Sequence, residues 1–504
     1  MDDHRLPVLV GVGQVRANRK RVVAEAREPL ALILEALDVA AADASAPGLL
    51  AAADAIYTVR VASWAYDDLS RVVADGVEAT PRHRVDSPIG GQWPVRLLDQ
   101  AATRIAAGES SVALLVGGEA AASAAALHKA GVDPVTDLGW SARPGGPAPI
   151  DAADLGSPAM QAAGLLLPTR VYPLYENRLQ ADLGLTPTEN AEWSARLYAD
   201  LSAVAATNPI AWNTEALDPA AVGTVTAKNR LVCEPYPLSM NALPFVDQAA
   251  AVIVTSLAAA RAAGVPAEKI VHLNAAAGVD DIGDVLARPK LGRSTALADA
   301  LTGALDRASV SAADLDLVDI YSCFPIVPKL AGLALGLPRD AVLSVTGGHS
   351  SFGGPLNSYS LHALARAVER IRRGDRLALV HANGGFLTYQ HAVVLGSTPT
   401  GFASGPVQAR TGGLSVADAG QLGDVDLVVE TATVEHDRDG APRQAFVVVS
   451  TEDGVRAAIA TPSGDPAAAA TWSLDALPPG TATHTGRRVH LRSADGVPTL
   501  VVGG

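Results

Sequence analysis

The chain has 504 residues, nearly half of them hydrophobic and only 18% charged; it is too long for one core and too apolar for disorder, so about two to four packed domains are expected. Its net charge of −14 argues against a nucleic-acid partner, which needs a basic face, and does not bear on an anionic cofactor, which needs only a local basic pocket. Two cysteines, Cys233 and Cys323, exclude a disulfide framework and fit a reducing compartment.

The first apolar run, Leu6-Pro7-Val8-Leu9-Val10, is too short for a signal peptide and reads as a strand. Gly11-Val12-Gly13 follows, but Arg16 stands where a dinucleotide fingerprint needs its third glycine. Gly90-Gly91 opens a helical run ending Arg104-Ile105-Ala106-Ala107-Gly108, and an apolar strand, Val112-Ala113-Leu114-Leu115-Val116, leads to Gly117-Gly118. Residues 123–228 differ in composition. Arg143-Pro144-Gly145-Gly146-Pro147 is loop, and Thr186-Pro187-Thr188-Glu189 is a capping box with proline at the first helical position. The helix it opens carries Trp193, Leu197, Leu201 and Val204 on one face, so this segment reads as an insertion sitting on the core. The apolar stretch 249–260 is cut by Thr255 and Ser256 and closed by Arg261. No membrane span is expected, and the cytoplasm is the expected location.

The earlier pattern then recurs. Gly353-Gly354 precedes a helical run ending Arg370-Ile371-Arg372-Arg373-Gly374, followed by the strand Leu377-Ala378-Leu379-Val380 and by Gly384-Gly385. Glycine past the last helical turn supplies a left-handed cap. The short apolar run is a buried parallel strand, and paired glycines at a helix start let backbone approach something closely. Two copies of one unit imply an internally duplicated α/β architecture. After Gly396, residues 397–413 are rich in Thr, Pro, Gly and Ser, a linker by composition. Short apolar runs at 427–434, 445–450 and 488–491, with Asp-Gly turns at Asp439-Gly440, Asp453-Gly454 and Asp495-Gly496, predict a small terminal β domain, a barrel.

Two similar α/β halves, an insertion in the first and glycine-rich helix starts facing each other resemble the thiolase superfamily. The specific points are Gly117-Gly118-Glu119, the run from Phe245-Val246-Asp247-Gln248 to Ala251, Tyr321-Ser322-Cys323-Phe324, Gly353-Gly354-Pro355, and Asn383-Gly384-Gly385 followed by His391. In order and spacing they are most similar to the sterol-carrier-protein thiolase branch, especially actinobacterial thiolase-like proteins with an added C-terminal domain. The resemblance implies a duplicated thiolase fold, two βαβαβαββ halves layered α-β-α-β-α. Residues 1–122 and 229–396 would be the halves, 123–228 the loop domain, 397–414 the linker and 415–504 a small OB-like or barrel domain. In the family a cysteine nucleophile begins the first buried helix, where a helix N-terminus favours the thiolate. By the family spacing that place falls on Gly91, beside Gln92, and no cysteine precedes Cys233. The histidine of Gly-His-Pro is replaced by Gly354, the second catalytic cysteine falls among His381-Ala382-Asn383-Gly384, and the third motif leads with Tyr321. Thiolysis and Claisen condensation are therefore not expected.

Tyr321 and Tyr389 are the candidate acid and base, with His349 and His391 on neighbouring loops as candidate charge partners. Cys323, in a Cys-Phe-Pro strand end, is more often small core filling than a relocated nucleophile. Gly-x-Ser-x-Gly fails after Gly348 because Phe352 takes the second glycine's place. No His-Glu-x-x-His or Cys-x-x-Cys spacing supports a metal. The resemblance implies CoA or acyl-CoA as ligand, with phosphates on the insertion's Arg143, Arg170, Arg178 and Lys228. Its pantetheine would reach Gly91, Gln92, Gly353, Gly354, Asn383 and Gly384. Two functions stand: action on or binding of acyl-CoA without a covalent acyl-enzyme, including retro-aldol C–C cleavage, or a non-catalytic acyl-CoA carrier. The protein would be a monomer or homodimer.

Overall fold

The computed structural model of the protein describes residues 2–17, 19–20, 22–141, 156–494 and 497–502. The 143–147 loop, and with it the phosphate role expected of Arg143, lies outside the described residues, as does the Asp495-Gly496 turn. Before residue 397 the strands are β1 (Pro7–Arg16), β2 (Ala55–Thr58), β3 (His83–Asp86), β4 (Val112–Ala120), β5 (Leu231–Cys233), β6 (Tyr236–Pro237), β7 (Asp247–Ser256), β8 (Val271–Asp280), β9 (Leu317–Asp319), β10 (Leu377–Gly384) and β11 (Tyr389–Gly396).

The first half orders its strands β3-β2-β4-β7-β1 and the second β8-β11-β10-β9. The two meet where Val8 and Leu9 of β1 pair with His272 and Val271 of β8. The two runs expected as buried parallel strands, β4 and β10, are each parallel to one neighbour, β2 or β9, and antiparallel to the other, β7 or β11. Side chains alternate across β1 on either side of a register shift between Leu9 and Gly11: Val8 and Val10 join one cluster, Leu9 and, past the shift, Val12 another.

That alternation builds the layers. Between the sheets lie two central helices, the first Trp93–Ala107 and the second Tyr359–Arg372. Leu97, Leu98 and Ile105 pack with Leu361, Leu364 and Val368 against the inner faces of both sheets. The helices Pro29–Asp43 and Leu69–Gly76 cover the first half from outside. The helices Thr295–Ala308 and Ile326–Ala334 cover the second, together with the insertion helices Pro168–Asp182 and Pro187–Ala206. The order is α-β-α-β-α, as the resemblance implied. Gly108 caps the first central helix in the left-handed region, φ 77°. In the repeat Arg373 is the cap and Gly374 follows one residue later. The Thr186 capping box forms as predicted.

The terminal residues form β12 (Gln408–Ala409), β13 (Val425–His436), β14 (Pro442–Ser450), β15 (Arg456–Ala460), β16 (Arg488–Ala494) and β17 (Val497–Val502). The expected barrel does not close. Among the described residues the order β15-β14-β13-β16-β17 is an open path. One edge of the long strand β13 is divided: Val425 to Val428 pair with β16, while Glu435 pairs with Cys233 of β5. The terminal sheet is thus continued by a hairpin from the insertion's exit. Residues following Gly396 also lie along the core, with Ala403 exchanging backbone hydrogen bonds with Asn274 and Ala276 and β12 pairing with β8.

Candidate functional site

The two central helices begin side by side, because the Gly90 N–H donates to Asn357 Oδ1 at 3.0 Å just before the second helix. Around them converge the Tyr321-Ser322-Cys323 strand end, the one-turn π-helix Gly348–Phe352, the end of β10, and Tyr172 from the insertion.

The space beside Gly91, where the resemblance would put a nucleophile, is filled. A Cβ at Gly91 would lie 2.6 Å from both Tyr321 Cζ and the Asn383 carbonyl oxygen, and closer still to the Tyr321 hydroxyl. A Cβ at Gly384 would lie 2.7 Å from Gln92 Cδ, so the Gln92 carboxamide takes the volume a side chain at 384 would need. Gly353, at φ 120°, faces the Gln248 carboxamide, whose Cδ is 3.2 Å from such a Cβ. At Gly354 a Cβ would meet the 242–243 backbone and side chains at ordinary contact distance. Real side chains never approach within 3.0 Å in this way without displacing a neighbour, so glycine at 91 and 384 is a consequence of the groups opposite them.

The titratable groups here are held neutral. Tyr321 is buried, and burial pushes its hydroxyl well above the ordinary tyrosine value. It is a donor rather than a base. His349 sits 3.7 Å, ring to ring, from Tyr359 in a stacked arrangement and 4.1 Å from Tyr321. The Ser322 N–H donates to its Nδ1 at 3.3 Å, which assigns the proton to Nε2. Burial lowers its pKa well below the usual histidine value, so it does not supply the positive charge expected of it beside Tyr321. The Cys323 thiol is pushed up to about 12 by burial and is not a thiolate.

Tyr389 and His391 have other surroundings. Tyr389 is 37% exposed at the start of β11, with the Arg96 guanidinium 6.0 Å from its ring centre. His391 is fully buried and pairs through Nε2 with Asp99 Oδ2 at 2.9 Å, under the first central helix. Neither shares the enclosure around Tyr321.

Asn383 belongs to a buried chain that the sequence did not reveal. His381 Nε2 and Gln390 Oε1 are 2.9 Å apart, Gln390 Nε2 donates to Asn383 Oδ1 at 2.8 Å, and Asn383 Nδ2 donates to Tyr172 Oη at 2.9 Å. Tyr172 donates in turn to the Gly385 carbonyl at 2.8 Å. Alternation along β10 and β11 puts His381, Asn383 and Gln390 on one face, but nothing in the sequence brings Tyr172 to it. Tyr359, which accepts from Gly348 N–H, was equally unsignalled.

The basic residues divide. Arg170 makes a two-nitrogen pair with Glu435 at 3.0 and 3.4 Å, and Arg178 pairs with Asp182 and Glu430. Both therefore tie the insertion to the terminal sheet. Lys228 is exposed. Among the described residues, no cluster of three His, Cys, Asp or Glu side chains is placed to hold a metal ion, and no helix is long and apolar enough to cross a membrane.

A duplicated, five-layered α/β core whose two central helices meet at their N-termini defines a thiolase-fold protein. Residues 408–494 match the family model described as the thiolase-like protein type 1 additional C-terminal domain. Over the whole length of both chains the protein is similar to a monomeric SCP2-thiolase like protein type 1 from Mycobacterium smegmatis, at 28% identity and a TM-score of 0.81. The chain is thus similar, over its full length and in its terminal domain, to thiolase-like proteins of this type. The fold alone is shared with an Ltp2-ChsH2(DUF35) aldolase, at 18% identity and TM-score 0.58 over 78% of this chain and 97% of that one. It is shared likewise with human mitochondrial 3-ketoacyl-CoA thiolase in complex with CoA, at 17% identity and TM-score 0.55 over 78% and 99%. No curated protein matches the chain.

Proposed function

We propose that this protein binds acyl-CoA thioesters without forming an acyl-enzyme, as a carrier or binding protein built on a thiolase scaffold. The observation that carries this reading is the Tyr321 ring lying against Gly91, in the volume that a cysteine side chain would need. A thiolase of the same fold is known in complex with CoA, which supports the ligand class. The retro-aldol alternative draws on the fold shared with an aldolase and would use Tyr321 as a proton donor to a thioester carbonyl. Tyr321 itself is not suited to be its base: burial keeps His349 neutral, so it supplies no positive charge to offset the burial that raises the Tyr321 pKa.

The test combines three measurements on the full chain. Incubation with acetyl-CoA or acetoacetyl-CoA should leave the intact mass unchanged. Calorimetry at low salt should show CoA binding that weakens as salt rises, because exposed phosphate contacts such as one from Lys228 are screened. Turnover of a β-hydroxyacyl-CoA should be absent. A stoichiometric acyl adduct, no heat of CoA binding at low salt, or release of an aldehyde or ketone product would each refute this reading, the last in favour of the lyase.

A further inference from the structure

Beside the first central helix, on the flank away from the Tyr321 enclosure, lies a cavity of about 820 Å³, within the size range of small-molecule sites. Its walls are that helix from Arg96 to Ala106, the edge strand β3, and residues 402–407. We propose that this cavity binds an apolar molecule ending in an acceptor oxygen, a carboxylate or a carbonyl of the kind a fatty acyl chain carries.

The outer wall is fixed in place without a ligand. Ala403 is bonded to the β8 backbone. Ser404 Oγ donates to Asp99 Oδ1 at 2.6 Å, while the other oxygen of Asp99 meets His391. The segment that looks like a linker in sequence is therefore part of a preformed pocket, and preorganisation lowers the entropic cost of binding. Val85, Ala106, Phe402, Pro406 and Val407 supply an apolar lining.

Two polar groups of the lining residues, both closed off from water, are incompletely satisfied. Tyr57 lines the cavity, is fully buried, and its hydroxyl has no hydrogen-bond partner. Arg104 also lines it; its Nη1 pairs with Glu109 at 2.9 Å, but its buried Nε has no partner. Native proteins rarely leave such donors unpaired. Burial raises the Tyr57 hydroxyl to about 12, so at neutral pH it donates. An acceptor oxygen at the half-exposed Arg104 guanidinium, toward which the Tyr57 hydroxyl turns on binding, would satisfy both, while its hydrocarbon runs along the Phe402 and Val407 wall. Neither residue takes part in the Gly91 enclosure, and the site stands independently of the CoA reading.

Calorimetric titration of the full chain with dodecanoate and with methyl dodecanoate tests this. Saturable one-to-one binding of at least one is expected; preference for the carboxylate assigns a share to the guanidinium, and equal binding assigns recognition to Tyr57 alone. Tyr57→Phe should weaken binding about 5–10-fold with no loss of thermal stability, since the hydroxyl bonds to nothing in the protein. Ala106→Trp, which fills the cavity, should abolish binding while leaving CoA titrations unaffected. The proposal is overturned if neither probe saturates, if Tyr57→Phe binds as wild type, or if sedimentation shows a dimer that Ala106→Trp dissociates, which would make this face an interface between copies.

Discussion

Restoring the thiolase nucleophile by Gly91→Cys should damage the fold rather than revive the chemistry. The new Cβ would stand 2.6 Å from Tyr321 Cζ and from the Asn383 carbonyl oxygen. The carbonyl belongs to the end of β10, where Asn383 pairs with Gln390 of β11, and the Tyr321 ring packs against the stacked pair His349 and Tyr359, so neither can retreat freely. Overpacking of this kind costs about 1–3 kcal/mol, and a partner fixed in a sheet argues for the upper end. Tyr321→Ala alone should cost about 3–5 kcal/mol as a large-to-small core change. In the double variant the thiol occupies space the ring has left, so the two losses should fall short of their sum by about 1–2 kcal/mol. Guanidinium unfolding of the four proteins measures this coupling. Strict additivity, or a Gly91→Cys variant within about 0.5 kcal/mol of wild type, would refute the claim that Tyr321 occupies the nucleophile's volume.

Glu119, in the Gly117-Gly118-Glu119 motif, is fully buried and accepts from the Ala62 and Ser63 N–H groups at 2.9 and 2.7 Å; burial outweighs these bonds and pushes its carboxyl up to about 7 from an ordinary 4.5. Because the folded-state value is the higher one, its stabilisation is fully present below pH 4.5 and is lost as pH rises through 7, a change of about 3 kcal/mol. Denaturation at pH 5 and pH 8 should show this decline in wild type and a smaller one in Glu119→Gln, and identical pH profiles would reject it. Glu234 is buried where the core meets the terminal sheet and accepts from Ser473 Oγ and Leu474 N–H, each at 2.7 Å, with His436 Nε2 at 2.8 Å. Glu234→Ala should destabilise the protein by about 2–4 kcal/mol and expose residues 397–414 to proteolysis; an unchanged digestion pattern would show that the terminal sheet is held by other contacts.

The sequence by itself determined the duplication, because a repeated glycine–helix–strand–glycine pattern is local: the caps, periods and turns that write it act over a few residues. It also determined that no cysteine precedes Cys233, which holds in any fold. Turn chemistry likewise made the β13–β14 and β14–β15 hairpins readable, with Gly440 and Gly454 in the left-handed region as their Asp-Gly pairs require. Only the tertiary structure decided which side chains lie against the paired glycines. Tyr321 comes against Gly91 across 230 residues of sequence, and Gln92 meets Gly384 across a still longer span; contacts at such separation leave no periodic trace, because they are set by how the sheets and central helices pack. The same holds for Arg170 and Arg178, whose charge was visible but whose partners, Glu435 and Glu430, lie in the terminal sheet. The terminal sheet has this origin too: β13 is long enough to pair with β16 at one end and with β5, a strand following the insertion, at the other, while β15 and β17 stand at the two ends of the path.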